Sequence, residues 1–200
     1  MNNLRCKAWD ILHGVETCGE IPLTSLDFES EHKSPGLEYQ SHHPQILRRI
    51  LSALNIEHER YTFIDYGCGK GRVLLLAAEF PFRRIVGVEF VPQLAQVAEQ
   101  NLKNYRLGQP KCKHLSVLAM DAADYELPLE PVVLFFFSPF AGPLMERVIE
   151  NIENSWRQAP RDLFVLFTGL PIMRDRAFAS RPQYEQLRRE RYFDVYQRLP

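Results

Sequence analysis

Two hundred residues, 46% hydrophobic and 24% charged, fit one soluble globular domain with at most a short appendage, large enough to fold without disulfides or metals. The formal net charge of −1 offers no global attraction to nucleic acid or an anionic membrane, although it is compatible with a local basic patch. Cys6, Cys18, Cys68 and Cys112 form no C-x-x-C pair and no zinc spacing, so no metal is expected and all four read as reduced thiols of a cytoplasmic protein. The N-terminus has no apolar secretory core, and the longest apolar run, "VVLFFF" at 132–137, is far too short to span a bilayer.

Residues 1–43 show no clean periodicity and are expected as an irregular N-terminal cap on a domain spanning 44–200. From Pro44, "PQILRRILSAL" places Ile46, Leu47, Ile50, Leu51 and Leu54 on one helical face. "RYTFIDYG" then reads as a short buried strand, and "KGRVLLLAAEF" as a central helix, apolar on nearly all sides. "RIVGVEF" (84–90) is a second strand. "PQLAQVAEQNLKNY" is a helix with Leu94, Val97, Ala98, Leu102 and Tyr105 on one stripe. "HLSVLAM" (114–120) and "PVVLFFFS" follow as strands, the latter apolar on both faces as a central parallel strand is. "PLMERVIENIENSW" is a helix with Leu144, Val148, Ile149, Ile152 and Trp156 inward, and "DLFVLFT" (162–168) a fifth strand. "YEQLRRERYFDVYQR" reads as a closing antiparallel hairpin, with a helix over 182–190 as the alternative. This alternation predicts an α/β fold: a doubly wound, mostly parallel seven-stranded sheet with helices on both faces. Its ligand crevice lies at the carboxyl ends of the strands.

The glycines of "FIDYGCGKGR" (63–72) sit at that edge, just after the first strand. Strand, glycine turn, helix and an acid about twenty residues on, here Glu89, make the context of a nucleotide site. A dehydrogenase frame counted from Gly67 puts Arg72 where its third glycine belongs; the spacing is instead D-x-G-x-G-x-G. A tight strand-to-helix turn needs glycine in any case, so the turn alone leaves a purely structural role open.

"DYGCGKG" resembles motif I of the class I S-adenosylmethionine-dependent methyltransferases, and the resemblance extends through "VGVEF" and "MDAADYELP" over roughly 44–170. It extends further to a group of bacterial methyltransferases of poorly defined substrate, through "DILHGVET" (10–17), matching D-x-x-x-G-x-[DE]-T, and "SPF" (138–140), where that group carries N-P-F. The resemblance implies S-adenosyl-L-methionine as cofactor. It implies Asp65 at the methionine end, Gly67, Gly69 and Gly71 as the close-approach turn, and Glu89 on the ribose hydroxyls. It also implies Asp121 on the adenine amine, with Ala122 and Phe90 beside the ring. Asp124 is a neighbour that could replace Asp121. Glu16, Thr17 and Tyr39 of the cap are candidates for the methionine end or the acceptor. Ser138, Pro139 and Phe140 stand where amino-methyltransferases carry [DNS]-P-P-[YFW], with one proline missing; an ordinary turn is the alternative.

These readings imply methyl transfer to an unidentified acceptor, a nitrogen of a protein or small molecule, with nucleic acid left open and no membrane partner. Two other classes stay in view: an inactive methyltransferase-like scaffold, and a nucleotide-dependent oxidoreductase, disfavoured by the glycine spacing. Residues 171–200 hold seven arginines against four acids, so an anionic partner could touch this end.

Overall fold

In the computed structural model, the described residues are 3–19, 44–106, 110–137, 142–169 and 175–200. Ser138, Pro139, Phe140 and Tyr39 lie outside them. Seven strands form one sheet: β1 Thr62–Tyr66, β2 Arg84–Glu89, β3 Leu115–Ala119, β4 Val132–Phe137, β5 Leu163–Thr168, β6 Tyr184–Arg189 and β7 Phe193–Arg198. Their order is β3-β2-β1-β4-β5-β7-β6. The first five are parallel, β7 runs antiparallel to β5, and β6 antiparallel to β7. The expected fold and closing hairpin are thus observed, and 184–189 is strand rather than helix.

Among the described residues, five α-helices accompany the sheet: α1 Asn3–His13, α2 Pro44–Ala53, α3 Arg72–Ala77, α4 Pro92–Asn104 and α5 Pro143–Gln158. Alternation along each strand divides the core in two. Phe63, Phe135 and Leu166 pack with Leu47, Ile50 and Leu51 of α2 and Leu74 of α3. Ile64, Tyr66, Phe136 and Phe167 pack with Val148, Ile149 and Ile152 of α5. Of Phe135, Phe136 and Phe137, whose sequence reads as sheet core, the first two are fully buried and Phe137 is half-buried against the core.

Two elements differ from expectation. Asn3–His13 is a helix, not irregular chain. Its buried positions Cys6, Asp10 and His13 recur at helical spacing, but two of the three are polar, so hydrophobic periodicity does not reveal them. The helix expected over 70–80 is shorter, because Gly71 sits in the left-handed region (φ 82°) and delays the helical start to Arg72. The chain leaves α3 before Pro81, as the residue preceding a proline resists helical geometry.

Order reverses between β1 and β4, the switch point where such sheets open a crevice. Gly87, in the middle of β2, sets how closely the turn after β1 can lie. A Cβ there would fall 2.7 Å from Cys68 Sγ and 2.7 Å from Leu74 Cδ1. Gly87→Ala is therefore expected to lower stability by about 1–3 kcal/mol, the usual range for overpacking. Cys68→Ala should recover part of the loss, as urea unfolding of the single and double variants would show.

Candidate functional site at the glycine turn

Asp65 and Glu89, from the ends of β1 and β2, flank the turn, and Asp121 follows β3, the next strand of the sheet. Asp65, next to last in β1, is 2% exposed, and among the described residues its Oδ2 has no hydrogen-bond partner. Burial, with the neighbouring Glu89 charge, pushes its carboxyl well above the ordinary value. The chain then turns through Gly67, Gly69 and Gly71, all at positive φ. The Gly67 and Cys68 amides donate to the Val88 carbonyl at 2.8 and 3.1 Å, stitching the turn to the end of β2. Glu89 closes the arrangement: its Oε2 accepts from the Gly69 amide at 2.7 Å and its Oε1 from the Val91 amide at 2.9 Å. Burial raises the Glu89 pKa, while these amides act the other way. At the end of β3, Asp121 Oδ1 accepts from the Ala123 amide at 2.8 Å and caps the short turn Ala122–Asp124. Ala122 is buried and Phe90 half-buried beside β2. Asp124 is exposed and faces Arg147 at 3.9 Å.

The N-terminal segment is fastened to this turn by Arg72, the first residue of α3. Its side chain is 2% exposed. Its Nη2 donates to Asp10 Oδ1 at 2.7 Å, its Nε to Thr17 Oγ1 at 2.6 Å, and its guanidinium lies 4.5 Å from the Trp9 ring centroid. Asp10 in turn folds the chain after α1 back on itself. It accepts from the Thr17 amide and hydroxyl (2.6 and 2.7 Å) and from the Cys18 amide (2.7 Å). Gly14, at φ 71°, makes the reversal. Lys70, also buried, donates to Glu16 Oε1 at 2.9 Å and to the Cys18 carbonyl at 3.1 Å. Asn101 of α4 completes the seam: it accepts from the Glu16 amide and donates to the Glu16 and Lys70 carbonyls. Asp10, Gly14, Glu16 and Thr17 of the "DILHGVET" pattern thus act together, with Thr17 fully buried between Asp10 and Arg72.

Asp10, Lys70, Arg72 and Asn101 were not among the expected site residues. Asp10 belonged to a quoted pattern, and Arg72 stood in the place of a third glycine. Asn101 carried a subtler signal, a polar residue seven positions after Leu94 and three after Ala98 on the buried face of α4. One expectation is overturned. Cys68 and Cys112 are free and buried, but Cys6 and Cys18 form a disulfide with Cα atoms 5.7 Å apart. Spacing alone cannot reveal this pair, because the Asp10-directed reversal is what brings Cys18 back beside α1.

The charges sort by source. Lys70 and Arg72 are answered by Glu16 and Asp10 of the N-terminal segment. That leaves Asp65 and Glu89 as carboxylates of the crevice itself. Such a site suits a ligand with cationic groups and hydroxyls, and is poorly suited to a pyrophosphate. The orphaned Asp65 oxygen fits an ammonium, and Glu89, already holding two backbone amides, retains lone pairs for hydroxyl donors.

The family described as a methyltransferase domain matches residues 57–156, half of the chain. The chain belongs to the methyltransferase domain family. Its cofactor is S-adenosylmethionine, which carries the ammonium, sulfonium and ribose diol that this donor set fits. No curated protein is similar enough to match. Among solved structures, HI0767 from Haemophilus influenzae, a candidate methylase, aligns with a TM-score of 0.55 at 15% identity over 78% of this chain and 89% of its own. An RNA methyltransferase from Salinibacter ruber, in complex with S-adenosyl-L-homocysteine, aligns with 0.54 at 16% identity, covering 79% and 92%. The 23S rRNA methyltransferase ErmE aligns with 0.52 at 12% identity, covering 80% and 69%. At these identities the likeness shows the fold.

Asp65 generates a test. Its folded pKa lies above the ordinary 3.8, so in the ligand-free protein the stability it contributes is lost as pH rises from there through the raised value. A ligand ammonium favours the carboxylate, so adenosylhomocysteine affinity should rise with pH through that window and level off above it. Asp65→Asn should melt no lower than the parent without ligand. It should bind adenosylhomocysteine at least tenfold more weakly and lose the rise, as titration calorimetry between about pH 4 and 8 would show.

Proposed function

We propose that this methyltransferase acts on a nitrogen nucleophile. Residues 44–200 form the catalytic domain and 1–43 a cap whose described part, 3–19, is built onto the cofactor turn. The observation that carries the cofactor assignments is the meeting of orphaned Asp65 with Glu89 across the glycine turn. In this reading Asp65 holds the methionine ammonium, Gly67, Gly69 and Gly71 admit close backbone approach, and Glu89 holds the ribose hydroxyls. Asp121 and Ala122 meet the adenine, with Phe90 beside it. Thr17 acts through Arg72 and Asp10, positioning the turn rather than touching the ligand, because its hydroxyl is engaged by both.

Bound S-adenosylmethionine supplies a methyl group on a sulfonium, open to in-line displacement. The chain's part is alignment and exclusion of water. Holding reactants in attack geometry supplies up to ~7–11 kcal/mol in well-oriented cases. The rigid pieces for this are a turn tied to β2 through Glu89 and to α4 through Asn101. The preference for nitrogen rests on Ser138, Pro139 and Phe140, a polar-Pro-aromatic sequence placed after β4 as in amino-methyltransferases. The cytoplasm, where the cofactor pool lies, is the compartment this reading assigns. Among the described residues no helix is long and apolar enough to cross a membrane.

Calorimetric titration tests the cofactor reading. Adenosylhomocysteine should bind and NAD should not. Glu89→Ala should bind at least tenfold more weakly while keeping its fold, since each charge-assisted bond to a carboxylate contributes roughly 1.5–3 kcal/mol. Binding of NAD but of neither adenosyl ligand would reinstate the oxidoreductase. Binding without transfer of a labelled methyl to any component of a cell extract would favour the inactive scaffold.

A further inference from the structure

The two edges of the sheet are built differently. At one, β6 carries Glu185, Arg188 and Arg189 and a register shift between Gln186 and Arg188, the charges and irregularity that keep an edge from pairing with another chain. At the other, β3 reads Leu115, Ser116, Val117, Leu118, Ala119, with no charge, no proline and an unbroken register against β2. Among the described residues no strand pairs with its outer side. Leu118 is 37% exposed, and Ser116 and Ala119 are exposed beside it.

Hydrogen-bond direction shows which backbone groups this edge offers. The Ile85 amide donates to the His114 carbonyl at 2.8 Å, and the Met120 amide donates to the Glu89 carbonyl at 3.0 Å. The amide and carbonyl of one strand residue point to the same side, and the sides alternate, so His114, Ser116, Leu118 and Met120 face β2. Leu115, Val117 and Ala119 therefore turn their amides and carbonyls outward. Lys113 and Asp121 continue that outward series, one before the strand and one after it. Lys113 is exposed and makes no ion pair among the described residues. Asp121 commits one oxygen, Oδ1, to the Ala123 amide.

We propose that β3 is a self-association edge, pairing antiparallel with β3 of a second copy about a two-fold axis at Val117 and joining two seven-stranded sheets into one. The ends of the strand select this occupant and this register. With Val117 opposite its own counterpart, Leu115 meets Ala119, and every outward residue of the strand exchanges both of its backbone hydrogen bonds. One step further out, Lys113 of each copy stands opposite Asp121 of the other, so the same alignment matches charge at both ends. Sliding the alignment by two residues in either direction takes Lys113 away from Asp121, and a parallel pairing sets the two lysines against each other. The Leu118 side chains of the two copies fall on a diagonal of one face, within reach of each other. Each copy also sends Lys113 to the Asp121 end of the other's crevice. The pairing itself does not rest on the cofactor reading.

A pairing along one short strand is small beside a standard interface, so it should be reversible. Sedimentation velocity of the full chain, from low-micromolar to millimolar concentration, should show monomer passing to dimer. In hydrogen exchange the amides of Leu115, Val117 and Ala119 should gain protection as concentration rises. Those of Ser116 and Leu118, which face β2, should not change. Lys113→Glu sets like charges together at both ends and should weaken association about tenfold or more. Val117→Pro removes an outward amide that the monomer's edge does not use, and should abolish the dimer. Lys113→Glu should melt like the parent at concentrations where the parent is monomeric, so its loss cannot be ascribed to unfolding. A parent that stays monomeric at millimolar concentration would overturn the proposal. So would a dimer whose Leu115, Val117 and Ala119 amides exchange at the monomer's rate, or a Lys113→Glu variant that dimerises as the parent does.

Discussion

A guanidinium removed from water must be met by charge and by hydrogen bonds, and Arg72 is met from outside its own domain core. Asp10, Thr17 and Trp9 all belong to the N-terminal segment. Leaving one partner of a buried pair uncompensated typically destabilises by 3–5 kcal/mol. The dependence runs both ways: the segment needs Arg72 to stay docked, and Arg72 needs the segment to be buried at all. Because Arg72 is the first residue of α3, whatever holds it also holds the exit of the glycine turn. The glycine turn is therefore a composite, with backbone from the sheet and ionic support from the N-terminal segment.

This arrangement separates two chemistries that share a fold. Glycine turns opening a helix often serve pyrophosphates, where nearby cations help. Here Lys70 and Arg72 are turned toward the cap and matched by Glu16 and Asp10, whereas Asp65 and Glu89 remain in the crevice. The Lys70–Glu16 pair is the weaker partner, since the Glu16 side chain is 76% exposed and solvent screens it. Asn101 compensates by holding the Glu16 and Lys70 backbone directly.

Most of the fold was legible because its elements follow simple periodicities. β4 is apolar on both faces, α2 and α5 carry clear stripes, and the glycine turn falls between a strand and a helix. Asp65, Glu89 and Asp121 were legible for the same reason, since each is an acid at the end of a readable strand. What escaped was held by polar contacts across long sequence separations. Asp10 and Arg72 are 62 residues apart, and Glu16 and Asn101 are 85 apart. A buried aspartate on a short helix reads as surface until its partner is known, and α1 itself lacks the apolar stripe that would announce it. The Cys6–Cys18 bond was hidden for a related reason, because it depends on the reversal that Asp10 directs.

The central claim is that the N-terminal segment and the glycine turn form one cooperative unit joined at Arg72. Amide hydrogen exchange of an Arg72→Met variant against the parent measures this directly. The account predicts that protection falls together at the Thr17 and Cys18 amides, which donate to Asp10, and at the Gly69 amide, which donates to Glu89, while β4 and β5 keep theirs. Loss confined to the turn, with Thr17 and Cys18 as protected as in the parent, would contradict it.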